Sequence, residues 1–290
     1  HIDARGAQDD AELSDGHRCN MSEKRYDDIL LISDLDGTLI PRHEAIADEN
    51  LAALNAFTAA GGAFAAATGR TPEAALPYLD GITVNAPSIF FNGAMLKDLT
   101  EDRVLEVRTL DGDLWRTFAA RVLYQFPRAC VEVYTEGRCH IISPEENDDP
   151  RLTDEFYNVN HTELRAVEGE TWLKFFICDA PINLKFVERL AAELGIDKCS
   201  TSFYSEANYL EFVPPGTSKG AMAEVLRTMP QYAGRRIIAC GDYENDVELL
   251  RMADIGIAPE DAADAAKEAA DRIAPPCRTP LIPWILSEVL

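Results

Sequence analysis

The stretch Asp34-Leu35-Asp36-Gly37-Thr38 constrains the chain most. It follows the apolar run Ile29-Leu30-Leu31-Ile32, which predicts a buried strand broken by Gly37 and Thr38. Alternate residues of a strand point the same way. At the C-terminal end of that strand, Asp34 and Asp36 can therefore face one pocket. Two like charges so close are costly unless a cation or a shared proton compensates. The plain alternative is a pair of acids on a solvated turn.

The segments that follow repeat the rhythm. Spacing predicts a helix over 45–60, closed by Gly61-Gly62. A short buried run over 63–67 ends in Thr68-Gly69-Arg70, and Pro72 suits the first turn of a helix. A third apolar strand over 88–91 ends at Asn92-Gly93. This β-α-β-α-β order predicts an α/β fold with a parallel sheet flanked by helices. Ligands of such sheets bind at the carboxyl ends of the strands, where Asp36, Thr68 and Asn92 all fall.

Residues 107–212 differ. Strands over 129–135 and 138–142 flank Glu136-Gly137, a hairpin signal, and further strands cover 173–178, 201–204 and 209–213. Helices over 113–125 and 182–194 intervene. This predicts an α+β insert with an antiparallel sheet. The first rhythm resumes with a helix over 218–228, a strand over 236–240 ending in Gly241-Asp242, a helix over 245–252 and a strand over 255–258. The expected organisation is a discontinuous Rossmann-like core, 27–106 and 213–290, interrupted by a separate lobe, 107–212. Residues 1–26 form a leader or tail. Residues 1–20 are polar, lack apolar periodicity and precede Met21, as an added leader, an alternative start or a natural acidic tail would.

Composition narrows the partners. Fifty acids against 27 bases give a net charge of −23 over 290 residues. Nucleic acids and anionic membranes need clustered Lys and Arg, so neither is expected as a partner. A phosphate remains possible where a metal and one or two bases dominate locally. Seven scattered cysteines, an odd number with no CxxC, argue against a zinc site or disulfide framework and fit a reduced cytoplasmic setting. No membrane-spanning run or secretory signal is evident.

Four signals stand in order: Asp34-Leu-Asp36-Gly-Thr38-Leu, Thr68-Gly-Arg70, Lys219 within Gly216-Thr-Ser-Lys-Gly220, and Gly241-Asp242-Tyr-Glu-Asn245-Asp246. Together they resemble the haloacid dehalogenase (HAD) superfamily of phosphohydrolases, most nearly its Cof-type phosphatases, whose C2 cap is inserted between the second and third motifs. The likeness runs from about Asp28 to Leu290. It implies a Mg²⁺-dependent phosphatase of small phosphorylated metabolites, with sugar phosphates the broadest expectation.

The resemblance also implies roles. Asp34 matches the nucleophile that forms an aspartyl-phosphate. Asp36 matches the general acid and base, and its main-chain carbonyl joins Asp34 and Asp242 as metal ligands; Asp246 ligates directly or through water. Thr68 and Lys219 match the groups that hydrogen-bond and neutralise the transferring phosphoryl group. Substrate contacts are implied for Leu35, Thr68, Gly69, Arg70, Asn92, Lys219 and Asn245. Leu35 in place of Lys argues against ion-pumping ATPases. Several assignments stay open: Asn92 as a contact or a bare turn, Arg70 as a phosphate ligand or surface ion-pair partner, and His43 as an entrance residue or simply exposed. Arg138, His140, Glu206 and Asn208 are unranked candidates for substrate choice. The rival readings are a phosphomannomutase-like phosphomutase and a catalytically silent binding protein.

Overall fold

The computed structural model describes residues 25–42, 44–110, 112–150 and 159–290. The leader up to residue 24 and His43 lie outside the described residues. Tyr26 is already part of the core, with its ring centroid 5.2 Å from that of Phe57.

A five-stranded parallel sheet forms the base. Its spatial order is Arg272–Ala274, Ile255–Pro259, Arg236–Cys240, Ile29–Ser33, Ala63–Ala66. The strand Ile29–Ser33 is central, pairing Leu31 with Ile238 on one side and with Phe64 on the other. All five of its residues are buried. That is what a parallel strand covered on both faces requires, and it is why the sequence shows an unbroken apolar run there. A parallel bridge from Ala67 to Ile89 continues the sheet toward Ser88–Phe90.

Ser88–Phe90 belongs at the same time to a small antiparallel sheet with Met95–Asp98 and Arg103–Val107. The sequence reading missed this hairpin. Its strands are only partly buried, and the turn between them has no Asn-Gly or Asp-Gly signal.

A six-stranded sheet is inserted between these elements and Lys219–Thr228. Its order is Thr201–Glu206, Tyr209–Val213, Lys174–Cys178, Cys130–Tyr134, Cys139–Ile141, Val159–His161. Every pairing is antiparallel except the last, which is parallel. One face buries Val131, Val133, Phe175, Ile177, Leu210 and Phe212 against the helices Asp113–Gln125 and Pro181–Leu194. Strand periodicity puts Glu132, Tyr134, Lys174, Phe176, Tyr209 and Glu211 on the other face. This face turns toward the parallel sheet, where Tyr134 and Phe176 join the same apolar cluster as Leu35, Phe90 and Phe91.

Six described cysteines are free thiols. Among the described residues no helix is long and apolar enough to cross a membrane.

Candidate active site

The site is built where the parallel strands end. Asp34 follows the central strand, and its N–H still donates to Cys240 O at 2.9 Å, so its position is fixed by the sheet. The chain then turns sharply: Gly37 N donates to Ile40 O, and Ile40 N donates to Leu35 O, each at 2.8 Å. Gly37 has φ +85°, and a Cβ there would lie 2.3 Å from Asp242 Oδ2. Glycine is needed for the turn and for the close approach of that carboxylate.

Asp242 follows the neighbouring strand Arg236–Cys240 and accepts from Thr38 Oγ1 at 3.2 Å. Asp246 sits one turn later. Its Oδ2 accepts from the N–H groups of Asp242 (3.0 Å) and Tyr243 (3.2 Å). The carboxylates of Asp34, Asp242 and Asp246 lie within 4.8 Å of one another, and all three residues are buried.

Lys219 stands behind this cluster with no exposed surface. Ser218 caps its helix by accepting from Ala221 N at 2.9 Å. The Lys219 ammonium donates to Asp34 Oδ1 at 2.6 Å and to Asp246 Oδ1 at 2.7 Å. Burial works against its charge, but Asp246 and Asp34 outweigh it and raise its pKa. One buried cation faces three carboxylates. Burial, with Asp246, Asp242 and Asp36 adding to it, pushes Asp34 well above the ordinary carboxylate range despite Lys219. Burial and then Asp246 push Asp242 up to about 6, against Arg42 and Lys219. The set lacks positive charge and offers hard oxygen ligands, which suits a divalent cation.

Asp36 points away from this cluster into the cavity. Arg70 binds it through two hydrogen bonds, Nε to Oδ2 at 2.7 Å and Nη2 to Oδ1 at 2.6 Å. The guanidinium also lies 4.2 Å from the Tyr78 ring centroid. Arg70 is 6% exposed and the Asp36 side chain 31%, so the ion pair is part-buried, with its open side on the cavity. Thr68 Oγ1 accepts from Arg70 N at 3.1 Å.

The cavity is lined from below by Asp34, Asp36, Thr68, Gly69, Arg70, Asp242, Tyr243 and Asn245. From above it is lined by Lys174, Ser205, Glu206, Tyr209 and Glu211 of the second sheet, with Arg42 at the side. Asn245 Nδ2 donates to Asn92 Oδ1 at 3.0 Å, and Asn92 Nδ2 donates to Glu211 Oε2 at 2.6 Å. Asn92 is thus a fully buried link between Asn245 and Glu211, and its side chain is not among the groups that line the cavity.

Not every expected residue faces the cavity. The Leu35 side chain is fully buried in the apolar core, so only its main chain is available to a ligand. Lys219 and Asp246 stand behind Asp34 and do not line the cavity. Of the four unranked candidates, Glu206 lines the cavity and is hydrogen-bonded by Arg42. Arg138 and His140 line a separate groove with Asn160 and Glu170. Asn208 turns to Cys178, with its Nδ2 3.7 Å from the sulfur. The sequence reading missed Arg42, Lys174, Ser205, Tyr209, Glu211 and Tyr243. Lys174 and Glu211 were visible only as charges inside apolar strands, the signal that can flag a buried pair.

The profile of the haloacid dehalogenase-like hydrolases matches residues 31–277. The chain belongs to that family. The match spans all four motifs and the whole inserted sheet, as the Cof-type phosphohydrolase resemblance implied. A 5-amino-6-(5-phospho-D-ribitylamino)uracil phosphatase of Bacillus subtilis is 26% identical, covering 87% of this chain and 93% of that protein. A chloroplastic endoribonuclease of Arabidopsis thaliana, YBEY, is 27% identical over 91% of this chain. The chain spans 46% of the length of that relative. Among solved structures, a haloacid dehalogenase-like hydrolase from Bacteroides thetaiotaomicron shares the fold with a TM-score of 0.75 at 20% identity, covering 90% of this chain and 99% of that one.

Proposed function

We propose that the protein is a Mg²⁺-dependent phosphatase of small, hydroxyl-rich phosphate esters such as sugar phosphates, working through a phosphorylated Asp34. The observation that carries this reading is the split environment of two carboxylates two residues apart. Asp34 is buried, bound by Lys219 at 2.6 Å and clustered with Asp242 and Asp246. Asp36 stands in the cavity, held by Arg70. That split supports reading Asp34 as the group that attacks phosphorus and Asp36 as the group that moves a proton.

In the first step a carboxylate oxygen of Asp34 attacks phosphorus, and the bond to the ester oxygen breaks. Asp36 donates a proton to that departing oxygen. In the second step Asp36 takes a proton from water, the water oxygen attacks phosphorus, and the acyl-phosphate bond to Asp34 breaks. Phosphate leaves, Asp34 is again a free carboxylate and Asp36 again carries the proton it gave up. Thr68 and the Gly69 main chain offer hydrogen bonds to the phosphoryl oxygens. Lys219 holds Asp34 in its attacking position and lowers the cost of its charge. Asp34, Asp242, the Asp36 carbonyl and Asp246 (directly or through water) would hold a Mg²⁺ ion, and that ion would supply the positive charge that lets two anions meet.

Support for the substrate class comes from the upper wall. Ser205, Glu206 and Tyr209 offer hydroxyl and carboxylate groups, which suit the hydroxyls of a sugar or polyol. The Bacillus relative is named for a substrate with a phosphorylated ribityl chain. In this reading segment 107–212 is a cap that closes over the site and selects the leaving group.

The test is release of phosphate from an aryl phosphate and from a panel of sugar phosphates with Mg²⁺. Turnover that chelation and Asp34→Asn both abolish supports the reading. No turnover of any ester by folded, metal-loaded protein would remove it. Phosphate release without a bisphosphate activator separates hydrolysis from mutase action.

A further inference from the structure

The second sheet does more than roof the cavity. Lys174 and Glu211 are 2% and 3% exposed. They pair across neighbouring strands, with Lys174 Nζ 3.1 Å from Glu211 Oε2. The same ammonium donates to the main-chain oxygen of Gly69 at 2.9 Å and rests 4.2 Å from the Tyr134 ring centroid. The same Glu211 oxygen accepts from Asn92 Nδ2. A charged pair of the upper sheet is therefore hydrogen-bonded to two loops of the lower one.

What those bonds hold is specific. The Gly69 carbonyl and the Arg70 N–H are the two ends of one planar peptide unit. Fixing the carbonyl fixes the N–H. That N–H donates to Thr68 Oγ1, and the Arg70 side chain grips Asp36. The other side of Gly69 is fixed as well. A Cβ there would lie 2.8 Å from Asn92 Nδ2, so the glycine main chain is laid directly on the amide that Glu211 holds.

We propose that Lys174 and Glu211 are positioning residues of the phosphate site. They orient the Gly69–Arg70 peptide, and through it Thr68 and Asp36, whenever the second sheet lies on the parallel sheet. This rests on the phosphatase reading for its chemistry but not for its geometry. The site is fully organised only with the upper sheet in place. The pair also has little left for a substrate. The Lys174 donors are directed at Gly69 and Glu211, and Glu211 Oε2 is shared between Lys174 and Asn92.

The experiment compares wild type with Lys174→Met and Glu211→Gln, the second keeping size and shape in case the first fails to fold. Three readouts are taken: kcat and KM for para-nitrophenyl phosphate and for a hexose phosphate, competitive inhibition by inorganic phosphate, and hydrogen exchange of the segment 68–71. In both variants kcat is expected to fall about 10- to 100-fold, the scale of misplacing catalytic groups by about an ångström. The loss is expected to be equal for the two esters, with weaker phosphate inhibition and faster exchange at 68–71. A loss confined to the hexose phosphate, or exchange at 68–71 unchanged from wild type, would overturn the proposal. Exchange is read whether or not any ester is hydrolysed, so failure of the phosphatase reading and failure of this one are separable.

Discussion

The guanidinium of Arg70 meets the carboxylate of Asp36 in a fork, with donor–acceptor distances of 2.7 and 2.6 Å. Thr71 follows and caps the next helix by accepting from Ala74 N, so the arginine backbone is anchored at both ends. Such a planar, two-bond match is specific to arginine. Arg70→Gln is expected to lower kcat about 10- to 100-fold, because Asp36 loses its fixed direction. KM is expected to change less. Arg70→Lys is expected to recover little, since an ammonium cannot make the fork. Steady-state kinetics on folded variants checks this.

Lys219 carries the charge balance of the buried cluster. Removing one member of a buried ion pair costs about 3–5 kcal/mol, because the partner stays buried and uncompensated. Lys219→Met is expected to destabilise the metal-free protein on that scale. The double variant Lys219→Met/Asp246→Asn is expected to cost less than the sum of the two single changes, since Asp246 is bonded to the same ammonium at 2.7 Å. Urea unfolding of the four proteins measures the coupling.

The raised pKa of Asp242 has a sign in stability. Its folded value, about 6, lies above the ordinary aspartate value of 3.8. Between those values the folded protein binds more protons than the unfolded chain. The contribution of Asp242 is therefore fully present below about pH 4 and is lost as pH rises through about 6. Asp34 is shifted in the same direction. Metal-free protein is expected to lose part of its stability across that window. Added Mg²⁺ is expected to flatten the loss, as is Asp242→Asn. Thermal melts from pH 4 to 8, with chelator and with Mg²⁺, check both.

Gly93 joins two parts of the site without touching a ligand. Its φ is +103°, and a Cβ would lie 2.1 Å from the main-chain oxygen of Ser218. Alanine there must strain its own backbone and push the Ser218–Lys219 peptide away. Gly93→Ala is expected to cost about 2 kcal/mol or more, and to lower activity even where the protein is folded, because Lys219 moves with that peptide. Unfolding curves and assays at a permissive temperature separate the two effects.

Much of this was legible in the sequence where one element carried its own signal. The run before Asp34 is apolar because its strand is buried on both faces. The strand Arg236–Cys240 and the helix Asp113–Gln125 fall on their predicted bounds. Asp34, Asp36, Thr68 and Asp242 were expected at strand ends, and they line one cavity. What was not legible depends on elements far apart in the chain. Whether Arg70 meets phosphate or Asp36 is set by how two loops dock, over a separation of 34 residues. Lys174 and Glu211 looked like ordinary strand charges until the second sheet was laid over Gly69 and Asn92. Nothing local marks Arg42, which hydrogen-bonds Glu206 and lies 3.1 Å from Asp242. The short strand Arg272–Ala274, with only one buried residue, offered too little periodicity to see.

In the mechanism proposed for this site, Asp34 itself takes the phosphoryl group and Asp36 drives its release. The most direct measurement is rapid acid quenching of the Asp36→Asn variant with Mg²⁺ and an aryl phosphate, followed by mass spectrometry of its peptides. An aryl leaving group departs without much help from an acid, while hydrolysis of the intermediate still needs the base. One phosphoryl group is expected on Asp34, accumulating in this variant beyond its level in wild type and absent when Asp34 is also changed to Asn. Efficient turnover by wild type with no phosphoryl group trapped on Asp34 in the variant, or with the group on another residue, would contradict it.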